Sequence, residues 1–275
     1  TAVSAEMARY LARAGRNPVV VAMGRGGPPR PYVVEERVVD EEYLRGELGK
    51  GLHAASDHYE DALVSGVMTV GSRRCGGGMA GEPFVTNCVE AAAVADGLSA
   101  QAVIVEGSGS SVPPVWTDAA VLVISAAQDL EEALGFLGAY RLLISDGVVI
   151  TMAEEPFATS RKIQELRERI EWISGDVVVL NTIFRPHPLK PIRGRKAFLV
   201  ATAPAEAKEL LEEHLREREG CEVVGSSYSL SQRERLEREL EGADEAEVVL
   251  TELKAAAVDV VAEYANRRGK ELVFF

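Results

Sequence analysis

The run Pro18-Val19-Val20-Val21-Ala22-Met23 is short, continuously apolar and closed by glycine. A strand that alternates apolar and polar residues has one wet face; a strand apolar throughout must be covered on both. Similar runs recur at about 101–106, 119–125, 147–151 and 176–181, with helical patterns between them at about 57–66, 83–97, 128–141 and 159–173. Strands alternating with helices predict a mostly parallel sheet wrapped by helices on both faces, joined by right-handed crossovers. Three prolines within Pro186-His187-Pro188-Leu189-Lys190-Pro191 interrupt regular structure. Beyond them the alternation restarts: strand 196–202, helix 204–219, strand 221–226, helix 231–241, strand 246–251, helix 254–267 and strand 270–275. The expected division is a larger α/β core over 1–190 and a smaller α/β domain over 191–275.

Open parallel sheets bind ligands at the carboxyl ends of their strands. The sequence places its most suggestive residues there. Gly71-Ser72-Arg73-Arg74-Cys75-Gly76-Gly77-Gly78-Met79-Ala80-Gly81-Glu82 sets two guanidinium forks beside three consecutive glycines. Glycines let backbone N–H groups converge on an anion, and arginine forks match phosphate oxygens. A helix opened by Glu82-Pro83 would aim its positive end at the same place. Gly24-Arg25-Gly26-Gly27 repeats the design after the first strand, and Val105-Glu106-Gly107 delivers a carboxylate to a small-residue turn. A carboxylate so placed can hold Mg²⁺ against nucleotide phosphates. The competing readings are a flexible loop with solvated arginines and a strand-terminal glutamate that satisfies local N–H groups. Asp57, Glu60 and Asp61 share a helical face, for which the expectation is a solvated surface. Arg185, His187, Lys190, Arg193 and Arg195 form a basic run between the two expected units, and Glu154-Glu155 follows another strand.

The formal net charge of −13 argues against a nucleic-acid partner, which would want a basic stripe. It suits a small anionic ligand held in basic pockets, or equally solubility in a salty or hot cell. No apolar run is long enough for a membrane span, and Cys75, Cys88 and Cys221 fit neither a zinc spacing nor a paired disulfide scheme. A cytoplasmic location is expected, with no nucleic-acid or membrane partner; a homo-oligomer is left open.

Residues 71–84 and Val105-Glu106-Gly107-Ser108-Gly109-Ser110-Ser111-Val112-Pro113-Pro114 closely resemble archaeal cyclic 2,3-diphosphoglycerate synthetases. So do residues 20–28, Ser56-Asp57-His58-Tyr59-Glu60-Asp61-Ala62-Leu63 and Thr251-Glu252-Leu253-Lys254-Ala255-Ala256-Ala257-Val258-Asp259. The resemblance implies a P-loop NTPase core that uses ATP and Mg²⁺ to close 2,3-bisphosphoglycerate into an intramolecular phosphoanhydride, releasing ADP and phosphate. It implies catalytic roles for Arg73, Arg74, Glu106 and Lys254, with substrate binding by Arg25, Gly76, Gly77, Gly78 and Arg185. Thr1, Gly24 and Gly107 would contact nucleotide, and Thr1 and Glu106 would hold the metal. The family's phosphate loop ends in Gly-Lys-Thr, and Thr1 matches its last residue. The expectation is therefore a sequence lacking the first strand and that loop, inactive by itself. A P-loop kinase acting on 2-phosphoglycerate or a similar anion is the alternative. A nucleotide-binding regulatory module without turnover is a second.

Overall fold

The computed structural model describes residues 1–25, 27–35, 57–74, 85–107, 112–253 and 257–275. They form two compact units, one of residues 1–115, 188–202 and 219–275, the other of 116–187 and 203–218.

The first unit holds two four-stranded sheets. Helix α1 (Ala2–Arg13) leads into β1 (Pro18–Gly24) and β2 (Tyr32–Val34). Then come α2 (Asp57–Ser65), β3 (Thr69–Arg73), α3 (Cys88–Asp96) and β4 (Ala102–Glu106). The strand order is β2-β3-β1-β4; β1 runs parallel to both neighbours, and β2 is antiparallel. Every residue of β1 is buried, as its unbroken apolar run requires. Alternate residues serve the two faces: Val19 and Val21 meet Ala91 and Ala95 of α3, while Val20 meets Ala8 of α1.

Strand β3 carries no apolar run. Thr69, Gly71 and Ser72 surround Val70, so periodicity does not announce it. It is nonetheless almost wholly buried. Gly71 makes this possible, since a Cβ there would lie 2.6 Å from the His58 ring of α2.

The second sheet comprises β8 (Lys196–Val200), β9 (Glu222–Ser227), β10 (Val248–Thr251) and β11 (Glu271–Phe274), in the order β11-β10-β8-β9 and parallel throughout. Phe198, Val200, Val249 and Leu272 pack with Leu236 and Leu240 of the helix Arg233–Leu240, and with Val261, Tyr264 and Ala265 of the helix Val258–Arg268. A separate cluster joins the two sheets' layers: Leu253, just after β10, is buried with Val34 of β2 and with Tyr59 and Ala62 of α2.

The second unit is built on β5 (Val121–Ser125), β6 (Gly147–Thr151) and β7 (Val178–Asn181), a parallel sheet in that order. Leu122, Ile124, Val148 and Ile150 pack against Leu166 and Ile170 of the helix Ser160–Ser174. The pattern expected as one helix near 128–141 divides into Leu130–Leu134 and Phe136–Leu143. Gly135 between them is extended, and a Cβ on it would lie 2.3 Å from the Glu131 carbonyl oxygen. No helix among the described residues is long and apolar enough to cross a membrane.

Candidate functional site

The carboxyl edge of the first sheet gathers most of the residues singled out above. Register pairs Gly24 of β1 with Arg73 of β3, and Ala22 with Glu106 of β4, so the three strand ends lie side by side. The Arg74 N–H donates to the Gly24 carbonyl at 2.9 Å, extending the ladder one step past β3. Arg25 is exposed at this edge and Gly107 is half-buried. Gly76, Gly77, Gly78 and Lys254 lie outside the described residues, as does the segment Glu82-Pro83-Phe84 expected to open a helix. Helix α3 begins at Cys88 instead.

Glu106 is buried at the end of β4. Its Oε2 accepts from the Thr1 nitrogen at 3.0 Å, which places the amino end of α1 beside the carboxylate. The positive end of a helix favours an anion there. Facing Glu106 is Asp61 of α2, which is 0% exposed. The expected solvated face of Asp57, Glu60 and Asp61 is thus corrected: α2 turns Asp61 inward, and His58 is buried with it.

The Ser4 hydroxyl has one proton to give. It lies 2.6 Å from the Thr1 carbonyl oxygen and 3.3 Å from Asp61 Oδ1, so Asp61 receives a weak share. Glu106 Oε1 and Asp61 Oδ2 are buried with no hydrogen-bond partner among the described residues. Burial, and next the Glu106 charge, hold the Asp61 carboxyl well above the usual carboxylate range. Two facing acids out of water cannot both ionise cheaply; they call for a shared proton or a cation.

A stability prediction follows from that sign. A carboxyl raised in the folded state weakens the fold as pH climbs from its unfolded value, near 3.9, towards its folded one. Asp61→Asn should therefore raise Tm at pH 7 in a chelator, at about 2–4 °C per kcal/mol recovered, and the gain should vanish near pH 4. Thermal melts at the two pH values check it; a gain that is the same at both would remove the strained acid.

The arginine turn is braced from behind. Arg73 Nε donates to the Gly27 carbonyl at 2.6 Å. Asn87, buried just before α3, accepts from the Arg73 N–H at 2.7 Å and donates Nδ2 to the Pro28 carbonyl at 3.1 Å. Ser72 Oγ donates to the Ala22 carbonyl at 2.9 Å and meets Cys88 Sγ at 3.3 Å. Gly27 is the glycine this packing demands: a Cβ on it would lie 1.9 Å from the Ser72 carbonyl oxygen.

Arg185 belongs to the second unit, where its two terminal nitrogens bind both oxygens of Glu154, at 2.5 and 2.7 Å. Lys190 and Arg195, in the first unit, converge on Glu271. Glu252, two positions before Lys254 in the sequence, accepts from the Thr202 N–H at 3.0 Å and hydroxyl at 2.6 Å, and burial raises its carboxyl pKa. Asp259, in the same stretch, takes a two-point contact from Arg233 at the surface.

Comparison with known proteins bears on what this edge serves. The family model for the cyclic 2,3-diphosphoglycerate synthetase P-loop domain matches residues 1–183, and that for the C-terminal domain of the same synthetase matches 188–275. The chain belongs to the cyclic 2,3-diphosphoglycerate synthetase family. Proteins of that name from Rubrobacter xylanophilus and Methanothermobacter thermautotrophicus are 49% and 45% identical over the whole of this chain, which covers 62% and 60% of their respective lengths. One from Thermococcus sibiricus is 40% identical, with 63% of its length covered. The chain thus spans about three-fifths of the curated relatives it matches. Within the family's P-loop domain, the sheet edge holding Glu106, Gly24 and Arg74 is the place where a parallel α/β fold receives its ligand.

Sequence reasoning read Asp61 as solvated and missed Asn87. The first sits on a helix whose periodicity leaves it on a polar face. The second is a lone amide in a loop, and only its two partners, far away in sequence, give it meaning.

Proposed function

We propose that this chain forms the nucleotide- and substrate-handling part of a cytoplasmic, ATP-dependent ligase that closes 2,3-bisphosphoglycerate into cyclic 2,3-diphosphoglycerate. The observation that carries the proposal is the convergence, at one sheet edge of a chain in this family, of the Asp61–Glu106 acid pair with Arg25, Arg73 and Arg74. The names of the relatives give the product, cyclic 2,3-diphosphoglycerate.

Two transfers balance it. A phosphate oxygen of the substrate attacks the γ-phosphorus of ATP, ADP leaves, and a pyrophosphoryl group results. The substrate's other phosphate then attacks the inner phosphorus, the ring closes, and inorganic phosphate departs. Many negative charges meet in both steps, so the protein's work is positioning and electrostatics. Arg25 and Arg74 supply fixed positive charge at the edge, and the backbone of the glycine turns allows close approach.

The acid pair fits a magnesium ion. Glu106 Oε1 and Asp61 Oδ2 are buried hard oxygen donors to which no other described residue donates; only the proton on Asp61 can link the two side chains. Among the described residues, no set of three or more His, Cys, Asp and Glu gathers as a metal cluster. A Mg²⁺ that keeps its waters and shares substrate phosphates needs only one or two carboxylates. When bound, the ion would neutralise charge on the phosphate oxygens. Glu106 would hold it, Asp61 would release its proton to complete the site, and Thr1, whose nitrogen contacts Glu106, would add its hydroxyl.

The test is product analysis of the full-length protein with ATP, Mg²⁺ and 2,3-bisphosphoglycerate by ³¹P NMR. Cyclic phosphoanhydride with equal ADP and phosphate is expected. A phosphorylated acyclic product without free phosphate would make the protein a kinase, and nucleotide binding without turnover would make it a regulatory module. In the same assay Arg74→Ala should lower kcat/KM for the bisphosphate about ten- to a hundred-fold, the usual loss of a charge-assisted contact, and leave the ATP KM within about threefold.

A further inference from the structure

Asn87 belongs to no motif and lies behind the site rather than in it. Yet its buried amide touches both edge segments. One oxygen holds the Arg73 N–H at 2.7 Å, at the last residue of β3. Its nitrogen holds the Pro28 carbonyl at 3.1 Å, at the end of the Gly24–Pro28 turn. Two further contacts lie parallel to this bridge: Arg73 Nε to the Gly27 carbonyl at 2.6 Å, and the Arg74 N–H to the Gly24 carbonyl at 2.9 Å. The Asn87 N–H in turn donates to the Arg73 carbonyl at 3.2 Å, which holds the Asn87 backbone against the end of β3.

An amide serves here because it offers a donor and an acceptor on one rigid plane. The two groups it bridges are backbone groups of different segments, and buried backbone groups call for a partner. Together with those two contacts, the bridge holds the Gly27-Pro28 backbone against the Arg73-Arg74 end of β3. For a polyanion gripped between the two, their spacing decides whether both sides bind at once, and a shift of about 1 Å is enough to lose the benefit of positioning.

We propose that Asn87, through Arg73, is a positioning residue that sets the spacing between the Gly24–Pro28 turn and Arg74, and so tunes the site for the phosphorylated substrate rather than for the nucleotide. Arg73 then serves chiefly by bracing the turn with its Nε–H, while Arg74 meets the anion. This rests on the reading that Arg74 binds the bisphosphate.

A double-mutant cycle in the full-length protein tests it. Asn87→Ala should raise the 2,3-bisphosphoglycerate KM at least about tenfold, with the ATP KM unchanged within about twofold. In an Arg74→Ala background the same change should cost less than about threefold, because the spacing no longer has a cation to place. A residue that merely stabilises the fold would cost as much in both backgrounds. Asn87→Asp keeps the acceptor for the Arg73 N–H and loses the donor to Pro28; it guards against a misfolded alanine variant and should show the same split. Additive effects, or a silent Asn87→Asp with normal melting, would overturn the proposal while leaving the site reading intact. An Arg74→Ala variant with an unchanged bisphosphate KM would overturn both.

Discussion

Glu106→Gln, made in the full-length protein, is expected to lower kcat by about 10²–10³, the scale of losing one preorganised electrostatic group at a transferring centre. The substitution keeps the side chain's shape and removes its charge. In the folded chain Glu106 is the buried acid that receives the Thr1 nitrogen and faces Asp61, and its second oxygen has no donor. Glutamine would put an NH₂ against one of these partners. It would also relieve Asp61 of the charge that, after burial, does most to keep its proton in place. The fold should therefore survive, and Tm measured in a chelator should not fall. Higher Mg²⁺ should restore part of the rate, because the weakened ligand set can be filled by mass action. A variant with near-normal turnover would reduce Glu106 to a group that anchors α1 against β4.

Gly27→Ala is expected to act on both stability and activity. The new methyl carbon would lie 1.9 Å from the Ser72 carbonyl oxygen and 2.7 Å from its carbon, in contact with backbone that has no rotamer to escape into. The turn must lift away from β3. Lifting it breaks the Arg73 Nε bond to the Gly27 carbonyl and the Asn87 bond to the Pro28 carbonyl. Overpacking costs about 1–3 kcal/mol, and each lost hydrogen bond to a buried carbonyl about 1 kcal/mol or more. A fall in Tm of about 2–4 °C for each kcal/mol is expected. Activity on the bisphosphate should drop at least about a hundredfold, because the turn and Arg74 no longer share a frame. Gly242→Ala is the control, since a Cβ there meets nothing within 4 Å. Equal melting of the two variants would mean that the turn is not packed against β3.

These expectations draw on two kinds of information. Strand β1 was legible in the sequence because six apolar residues in a row leave no face for water, and β6 followed by the same logic; β4 forms where its apolar run lies, but Val103 is exposed. A parallel sheet puts strand ends on one edge, so the position of Gly24 and Glu106 near each other follows from topology alone. The spacing of the helical patterns likewise gave the second sheet its alternation of strand and helix.

What only the tertiary structure decided are the partnerships. Strand β3 is recruited by its neighbours, β1 and β2, rather than by its own composition. Asp61 has the helical phase of a solvated residue, and its burial depends on where α2 is laid against β1 and Glu106. The resemblance gives Arg185 to substrate binding, and only the fold shows that Glu154, thirty-one positions away, binds both its terminal nitrogens. Arg73 and Arg74 are identical side by side in the sequence; one braces a turn through Nε and the other follows the strand end. Local sequence sets backbone propensity and which faces are apolar, because those depend on a few neighbouring residues. It does not set which charge meets which, because that depends on groups that chain folding alone brings within 3 Å.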